Sequence, residues 1–507
     1  MARAGSLSEL SSLQRYGVLV TLTAATALVA MTVTVANTSL PQIQGSLSAT
    51  QDQIALVVTF NLVAMAVGTP ATGWLAARFG RRRVMTAGVV GFTLSTLLCG
   101  LSHSLPGLMI FRIGQGLFGA PLIPLGQAIL LASFPQRQHG MVTAVFGLGV
   151  CVGPIVALLG GGYLSELYNW RWVFFMMVPG GVVCLAGVLV FVRSGAPAAE
   201  VRLDWTGFLA LSLAIAAFQF MLDRGERNEW FASTEIVLEA TLAAVAFWVF
   251  CIHVLTAERP FLNPRLLLDR NYAVGLLLTL VFGALNFSPM TLLPPLLQNL
   301  QGYPDSVIGF LLSMRGLGTF LGFMVMMFAN KTDPRPWLYL GFGVQAIAGW
   351  QMAQFDINVT TWEVATSSLL QGLGVGLLWV PLTLISFRTL NPAFLPEGTA
   401  VFHLIRNMGS SIHISLSVAL ALRMGKVNYA GMTEHVSPYN EALLYPWVMG
   451  AFTTEGPRGL ATLGREMQRQ AAMIGYIDAF YFYAATAAAA LPLILLVRWR
   501  KAQSAAA

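Results

Sequence analysis

Four charged side chains lie inside strings of residues that are otherwise apolar. Arg112 follows Leu108, Met109, Ile110 and Phe111, Arg315 sits in "LLSMRGLG", Arg406 in "FHLIRNMG" and Asp478 in "MIGYIDAFYFY". An ionisable group so placed costs several kcal/mol and marks a pathway for ions or polar molecules. An aspartate among Ile477, Phe480 and Tyr481 is the group best suited to take up and release a proton. His413 titrates in a range that a proton relay can use. Arg315 and Arg406 have no acid near them in sequence, so two roles stay open: they line an anion-attracting cavity, or their long stems carry the charge to an interface. Polar residues recur within the same strings. Thr32, Asn37, Asn61, Gln115, Gln127, Asn286 and Gln371, with the aromatic Trp379, are the candidates to line an internal cavity, because apolar cavities with a few convergent polar groups suit amphipathic organic molecules.

The elements that hold these residues must be long and apolar. Of 507 residues 56% are apolar and only 10% charged, and the mean hydropathy is +0.69, so there is too little polar surface to cover a soluble protein of this length. Apolar strings of the length needed to cross a hydrocarbon core about 30 Å thick recur throughout. They predict an all-α integral membrane protein with fourteen transmembrane helices, near 16–38, 54–76, 84–103, 107–131, 141–163, 172–192, 204–222, 235–256, 272–298, 306–329, 336–354, 363–388, 399–423 and 475–497. The first string lacks a small-residue cleavage site and reads as a span rather than a signal peptide. Cys99, Cys151, Cys184 and Cys251 all lie in apolar strings without the spacing of a metal site or a structural disulfide; no metal or cofactor is expected.

Charge sets the orientation. The net charge of +7 does not point to nucleic acid, since membrane proteins gather Lys and Arg on the cytoplasmic side. With the N-terminus inside, 18 of the 29 Lys and Arg fall in inner segments, 8 in outer segments and 3 within spans. Both termini are therefore expected in the cytoplasm. Arg78, Arg81, Arg82 and Arg83 lie in the inner turn between the second and third spans, where the anionic leaflet holds them.

A repeat runs beneath the pattern. "QGLFGAPLIPL" at 115–125 and "QGLGVGLLWVPL" at 371–382 stand about 256 positions apart. This offset pairs spans one to six with nine to fourteen and leaves seven and eight as an insertion. The expected domains are an N-terminal six-helix bundle at 1–198, two inserted helices at 199–258, and a C-terminal six-helix bundle at 259–507 that includes an outer loop at 425–474. Two matched bundles that rock about a central site are the physics of alternating access. The run from Gly147 to Leu164 adds Gly149, Gly153 and Pro154, a spacing that lets helices approach closely and bend.

Seven segments in order carry a family likeness: "GWLAARFGRRR" (73–83, with Gly73, Arg78, Gly80, Arg81 and Arg82), "FRIGQGLFGA" (111–120), the Gly149–Gly153–Pro154 run, "NWRWVFFMMVPGG" (169–181), "LDRGERNEWF" (222–231), "SMRGLGT" (313–319) and "RNMGSSI" (406–412). Across nearly the whole chain they resemble the major facilitator superfamily, and within it the fourteen-span drug:proton antiporters of the multidrug exporter type. The resemblance implies a major-facilitator-type fold of two pseudo-symmetric six-helix bundles plus two inserted helices. It also implies a role for Arg112 in proton transfer, a conformational lock at the 73–83 turn, and docking to a periplasmic adaptor protein and an outer-membrane channel. The chain departs from the family's pattern in three places. Ala77 stands where the turn usually has an aspartate, Thr32 where the first span usually has one, and His413 near a usual glycine. A threonine carries no proton, so coupling runs through another group or the cargo is neutral or anionic.

The expected function is thus a proton-coupled exporter of amphipathic organic compounds or drugs across a bacterial cytoplasmic (inner) membrane, with membrane lipid as its other partner. The alternative is a dedicated exporter of an organic anion such as a fatty acid, siderophore or secondary metabolite. No glycine-rich Gly-Lys-Ser/Thr loop is present to make it a nucleotide-driven pump, and six scattered histidines give a membrane enzyme little support. The segment from Lys426 to Met473 predicts an external loop with one or two short helices, since Leu460, Leu463, Met467 and Ala471 keep a helical spacing.

Overall fold

The computed structural model describes residues 11–193, 202–258, 260–329, 333–437, 439–445, 452 and 456–498. The side chain of Asn37 lies outside the described residues, and so does the expectation for it. The described residues form helices and turns with no strand. In chain order the helices are α1 (Ser12–Ser46), α2 (Gln51–Gly68), α3 (Thr72–Phe79), α4 (Arg81–Leu101), α5 (Leu105–Gly119), α6 (Leu122–Ser133), α7 (His139–Leu167), α8 (Arg171–Phe175) and α9 (Met177–Phe191). They continue as α10 (Trp205–Arg224), α11 (Thr234–Thr256), α12 (Arg270–Pro295), α13 (Asp305–Ala329), α14 (Pro334–Met352), α15 (Thr361–Arg388), α16 (Leu395–Thr433) and α17 (Pro457–Leu493).

Among the described residues eleven stretches are long and apolar enough to cross a membrane, or up to twelve if the bent pair Leu56–Gly68 and Thr72–Phe79 is one span. That pair bends by 56° around Pro70, which cannot donate into the ladder. The fourteen expected strings are all helical here, but α14 and α16 are less apolar than the rest. Gln345 and Gln351 dilute the first; Glu397, His403, Arg406, Asn407 and His413 dilute the second.

Local signals explain the helix starts. Thr50 with Gln53 and Thr360 with Glu363 form reciprocal capping boxes at α2 and α15. Gly80 turns the chain between α3 and α4 with φ of 86°, a region that suits glycine because it has no Cβ. One large apolar cluster gathers α1, α4, α6, α7 and α9 around Leu22, Met85, Phe92, Leu125 and Phe146. A second gathers α12 to α17 around Tyr272, Phe282, Phe323, Phe342 and Tyr483, and it draws in Ala128, Leu131 and Ala144 from α6 and α7. The α10–α11 hairpin meets the bundle through α10, where Leu211 and Ile215 pack with Ala66 and Leu404; on α11 only Ile236, Ala243 and Ala246 are buried, so most of that helix faces outward.

Asp204 anchors this hairpin. Its carboxylate accepts from the Gly207 N–H (3.0 Å), the Phe261 N–H (3.0 Å) and the His253 ring (2.8 Å). Burial works against its charge, but these three donors together hold its carboxyl below the usual carboxylate range. The stabilisation is therefore complete above the ordinary carboxylate pKa and is lost as pH falls through the depressed value. Asp204→Asn is expected to lose about 1 kcal/mol, as for a cap, and to flatten the acid limb of a melting-temperature series between pH 3 and 7.

The far end of the bundle corrects the expected loop. Helix α16 has 39 residues and α17 has 37, which at 1.5 Å per residue is about 55–60 Å, far more than the bilayer core. Residues 425–433 and 457–474 are continuations of these two helices rather than a loop with separate short ones. The apolar spacing from Leu460 to Ala471 simply runs on into the span. Gly475 lets the two helices touch, since a Cβ there would lie 2.1 Å from the Ala421 carbonyl oxygen.

Candidate functional site

The guanidinium of Arg112 is fully buried among α1, α2 and α5. It donates to the carbonyls of Thr32 (3.3 Å) and Val57 (3.2 Å) and to Gln115 Oε1 (2.7 Å). Gln115 in turn donates to Thr96 Oγ1 (2.7 Å), and Asn61 Nδ2 donates to the Arg112 carbonyl (3.0 Å). The Thr32 hydroxyl is spent on Leu28 of its own helix. Thr32, Asn61 and Gln115 are thus drawn up around Arg112 rather than around the cavity described below. A cation removed from water must collect acceptors, and these are the nearest. Among the described residues no ion pair reaches Arg112, Arg315 or Arg406.

A second arginine collects acceptors in a similar way. Arg315 on α13 donates through Nε to Gln371 Oε1 (2.6 Å), and through Nη2 to Asn286 O (2.7 Å) and Oδ1 (2.6 Å). Its Nη1 points at Met290 Sδ (2.8 Å). Gln115 and Gln371, 256 residues apart, thus each accept from an arginine, the first from its own helix and the second from a neighbouring one. The glycines beside the two glutamines match too: a Cβ on Gly116 would lie 2.4 Å from Asn61 O, and one on Gly372 1.9 Å from Arg315 O. Arg406 on α16 lies over the Trp379 ring, 5.4 Å from its centroid, and its Nε and Nη2 reach only Asn407 Oδ1 (3.4 and 3.1 Å).

Arg315, Arg406, Asn286 and Trp379 line a cavity of about 50 Å³ between the halves, with Pro154 of α7 among its walls. Of the residues expected around a cavity, Asn286 and Trp379 are there; Gln371 backs Arg315, and Gln127 lies elsewhere. Gln127 of α6 accepts from the His403 ring of α16 (2.6 Å) and donates to Thr383 Oγ1 of α15 (3.4 Å). Gln127 and Thr383 are 256 residues apart, the same offset that separates the two Gln-Gly-Leu strings. A few turns away Gly73 lies against Glu397, where a Cβ would come within 3.0 Å of its Cα. Glu397 accepts from the Asn263 N–H. At the cavity itself Gly316 of α13 packs on Ile155 of α7, with 2.1 Å from an added Cβ to Cδ1.

The remaining expected residues are dispersed. His413 takes hydrogen bonds at Nδ1 with Ser288 (2.7 Å) and Ser417 (3.1 Å) and stacks on Phe482 at 4.8 Å. Asp478 on α17 is half-buried and lies outside the cavity lining, and the structure does not bring it together with the arginines. Gly149 and Gly153 face α1, with an added Cβ 2.5 and 2.3 Å from the Thr23 and Ala27 carbonyls. Arg78 is exposed, Arg81 opens α4, and Arg82 donates to the Leu189 carbonyl. Thr383, Phe282, Phe323 and Met290 were missed by sequence reasoning. The 256-residue offset applied to Gln127 finds the first of them; the other three carry no signal that separates them from core. Among the described residues no group of three or more His, Cys, Asp or Glu could hold a metal ion.

Residues 22–413 match the sequence profile of the Major Facilitator Superfamily. The chain is 32% identical over 455 residues to the multidrug export protein EmrB of Haemophilus influenzae, with 89% of each chain covered. It is 32% identical over 413 residues to the fatty acid resistance protein FarB of Neisseria gonorrhoeae, covering 81% of each. Among solved structures its fold is similar to the proton:xylose symporter XylE bound to 6-bromo-6-deoxy-D-glucose, with TM-score 0.61, 12% identity and 96% of each chain covered. The chain is a multi-pass membrane protein, a carrier of small organic solutes and not an enzyme, and it belongs to the Major Facilitator Superfamily.

Proposed function

We propose that the protein is a proton-coupled antiporter that exports amphipathic organic compounds or drugs by alternating access. In this reading α14 and α16 also cross the membrane, giving fourteen spans in two six-helix bundles with α10 and α11 inserted. Both termini lie in the cytoplasm of a bacterium, beneath its inner membrane. The observation that carries the reading is the cavity between α7 and the helices α12, α13, α15 and α16, flanked by Phe282, Phe323 and Trp379 and by polar groups. Likeness to a multidrug export protein supports the cargo class. The long α16–α17 projection gives a periplasmic adaptor a surface to grip, and through it an outer-membrane channel. Asp478 and His413 are the groups proposed to carry the proton, with Arg112, Arg315 and Arg406 as gates, and the turn from Gly73 to Arg82 with the Gly149–Gly153–Pro154 run as the moving joints.

The test is uptake into inverted membrane vesicles whose lumen is made acid. In a one-for-one exchange each pH unit drives about tenfold accumulation, since 1.4 kcal/mol is a factor of ten. Uptake is expected to collapse on adding an uncoupler, and Asp478→Asn is expected to abolish the accumulation while cargo still binds. Purely downhill flux in the unaltered protein would end the antiport reading; full accumulation by the asparagine variant would move the proton to another residue.

A further inference from the structure

We infer that the cavity between Arg315 and Arg406 is an oxyanion-binding site, and that the cargo it takes is an amphipathic organic anion: an apolar body carrying one carboxylate, sulfonate or phosphate-type head. This rests on the export reading above and deepens it.

The residues that line the cavity include two arginines and, among those described, no aspartate, glutamate or histidine. Besides Asn286 and Ser313, the walls are apolar or weakly polar, among them Phe282, Phe323, Trp379 and Met290. A buried cation without an acid is unfavourable on its own and becomes favourable when an anion arrives. The two arginines differ in what they have left to give. All three nitrogens of Arg315 are engaged by Gln371, Met290 and Asn286, so this side chain is a fixed source of positive potential. Arg406 reaches one oxygen, Asn407 Oδ1, through Nε and Nη2. Its Nη1 makes no hydrogen bond among the described residues, and its Cζ lies over the Trp379 ring. A planar fork with free donors is the geometry that takes an oxyanion. The aromatic wall then receives the apolar body. A cationic cargo would meet two like charges and no counter-ion.

This assignment changes the electrical character of the cycle. One proton inward against one anion outward moves two positive charges inward per turnover; one proton against a monovalent cation moves none. Two experiments read the two consequences. In inverted vesicles, uptake of anilinonaphthalene sulfonate, its neutral analogue N-phenylnaphthylamine, and ethidium is followed under a pH gradient alone and under a lumen-positive potential alone. The sulfonate is expected to be taken up under both and ethidium under neither. In nanodiscs holding the purified full chain, Arg406→Gln is expected to lower the ratio of sulfonate to neutral affinity about tenfold, the scale of a lost charged hydrogen bond. Arg406→Lys keeps the charge and is expected to recover part of that ratio, which a merely destabilised protein would not do. Gradient-driven uptake of ethidium or the neutral probe, with the sulfonate excluded, would overturn the anion site and leave the export reading standing. No gradient-driven uptake of any probe would remove the export reading itself. An unchanged affinity ratio in Arg406→Gln would also overturn the site.

Discussion

Replacing Arg112 with leucine is expected to stop transport, by about a hundredfold or more, while leaving a protein that folds as well as the parent. The two halves of this expectation have separate causes. Arg112 is a fully buried cation with no carboxylate partner, and its Nη2 has no hydrogen bond. Exchanging an uncompensated buried charge for an apolar side chain of similar volume is often neutral or stabilising by about 1–4 kcal/mol. The loss of the Gln115 contact offsets part of that, at about 1 kcal/mol. Function has no such relief. The guanidinium ties Val57 of α2 through Nε, and Thr32 of α1 and Gln115 of α5 through Nη1, and a buried network that acts as a unit loses most of its effect when one member is removed. Arg112→Lys should not restore transport, because a point charge on a flexible stem cannot span three acceptors on three helices. Melting curves and vesicle uptake on the same preparations decide the matter. A leucine variant that transports would make Arg112 mere packing, and one that unfolds would make it structural.

The second large effect concerns the contact between Gln127 and Thr383. If alternating access requires the halves to part there, joining them must arrest the cycle. In a chain whose four natural cysteines are first replaced, Gln127→Cys and Thr383→Cys linked by a short bis-methanethiosulfonate should cut uptake by about tenfold or more, since a tethered two-state interface cannot reach its other state. Reduction should restore it. Either single cysteine treated alike should transport normally. A linked double variant that still cycles would show that the bundles hinge without separating at this point, and the rocking motion would have to be abandoned.

Much of the architecture was legible in the sequence because the bilayer imposes length and apolarity on every crossing element. The strings at 84–103, 235–256 and 363–388 became α4, α11 and α15 with small shifts at their ends. Gln115 and Gln371 stand out through their shared Gln-Gly-Leu strings, and each accepts from an arginine in the structure. Legibility failed where neighbours decide. Thr32 and Asn61 read as wall residues because they are polar and embedded, yet an arginine from another helix claims them. Asp478 reads as deeply placed from its own neighbours in sequence, but only packing against other helices sets depth. The outer loop failed for a simpler reason: helix α17 begins with a polar first turn and several charged residues, which hide a continuous helix from a hydropathy reading.

The cavity of about 50 Å³ has a consequence for the cell. It has room for a few water molecules and none for a drug-sized guest, which needs several hundred Å³. Ions find as little room in it as a guest does, so a carrier of this shape conducts poorly between passengers. Widening the space becomes the guest's own task, so the leak and the journey are opened by the same event.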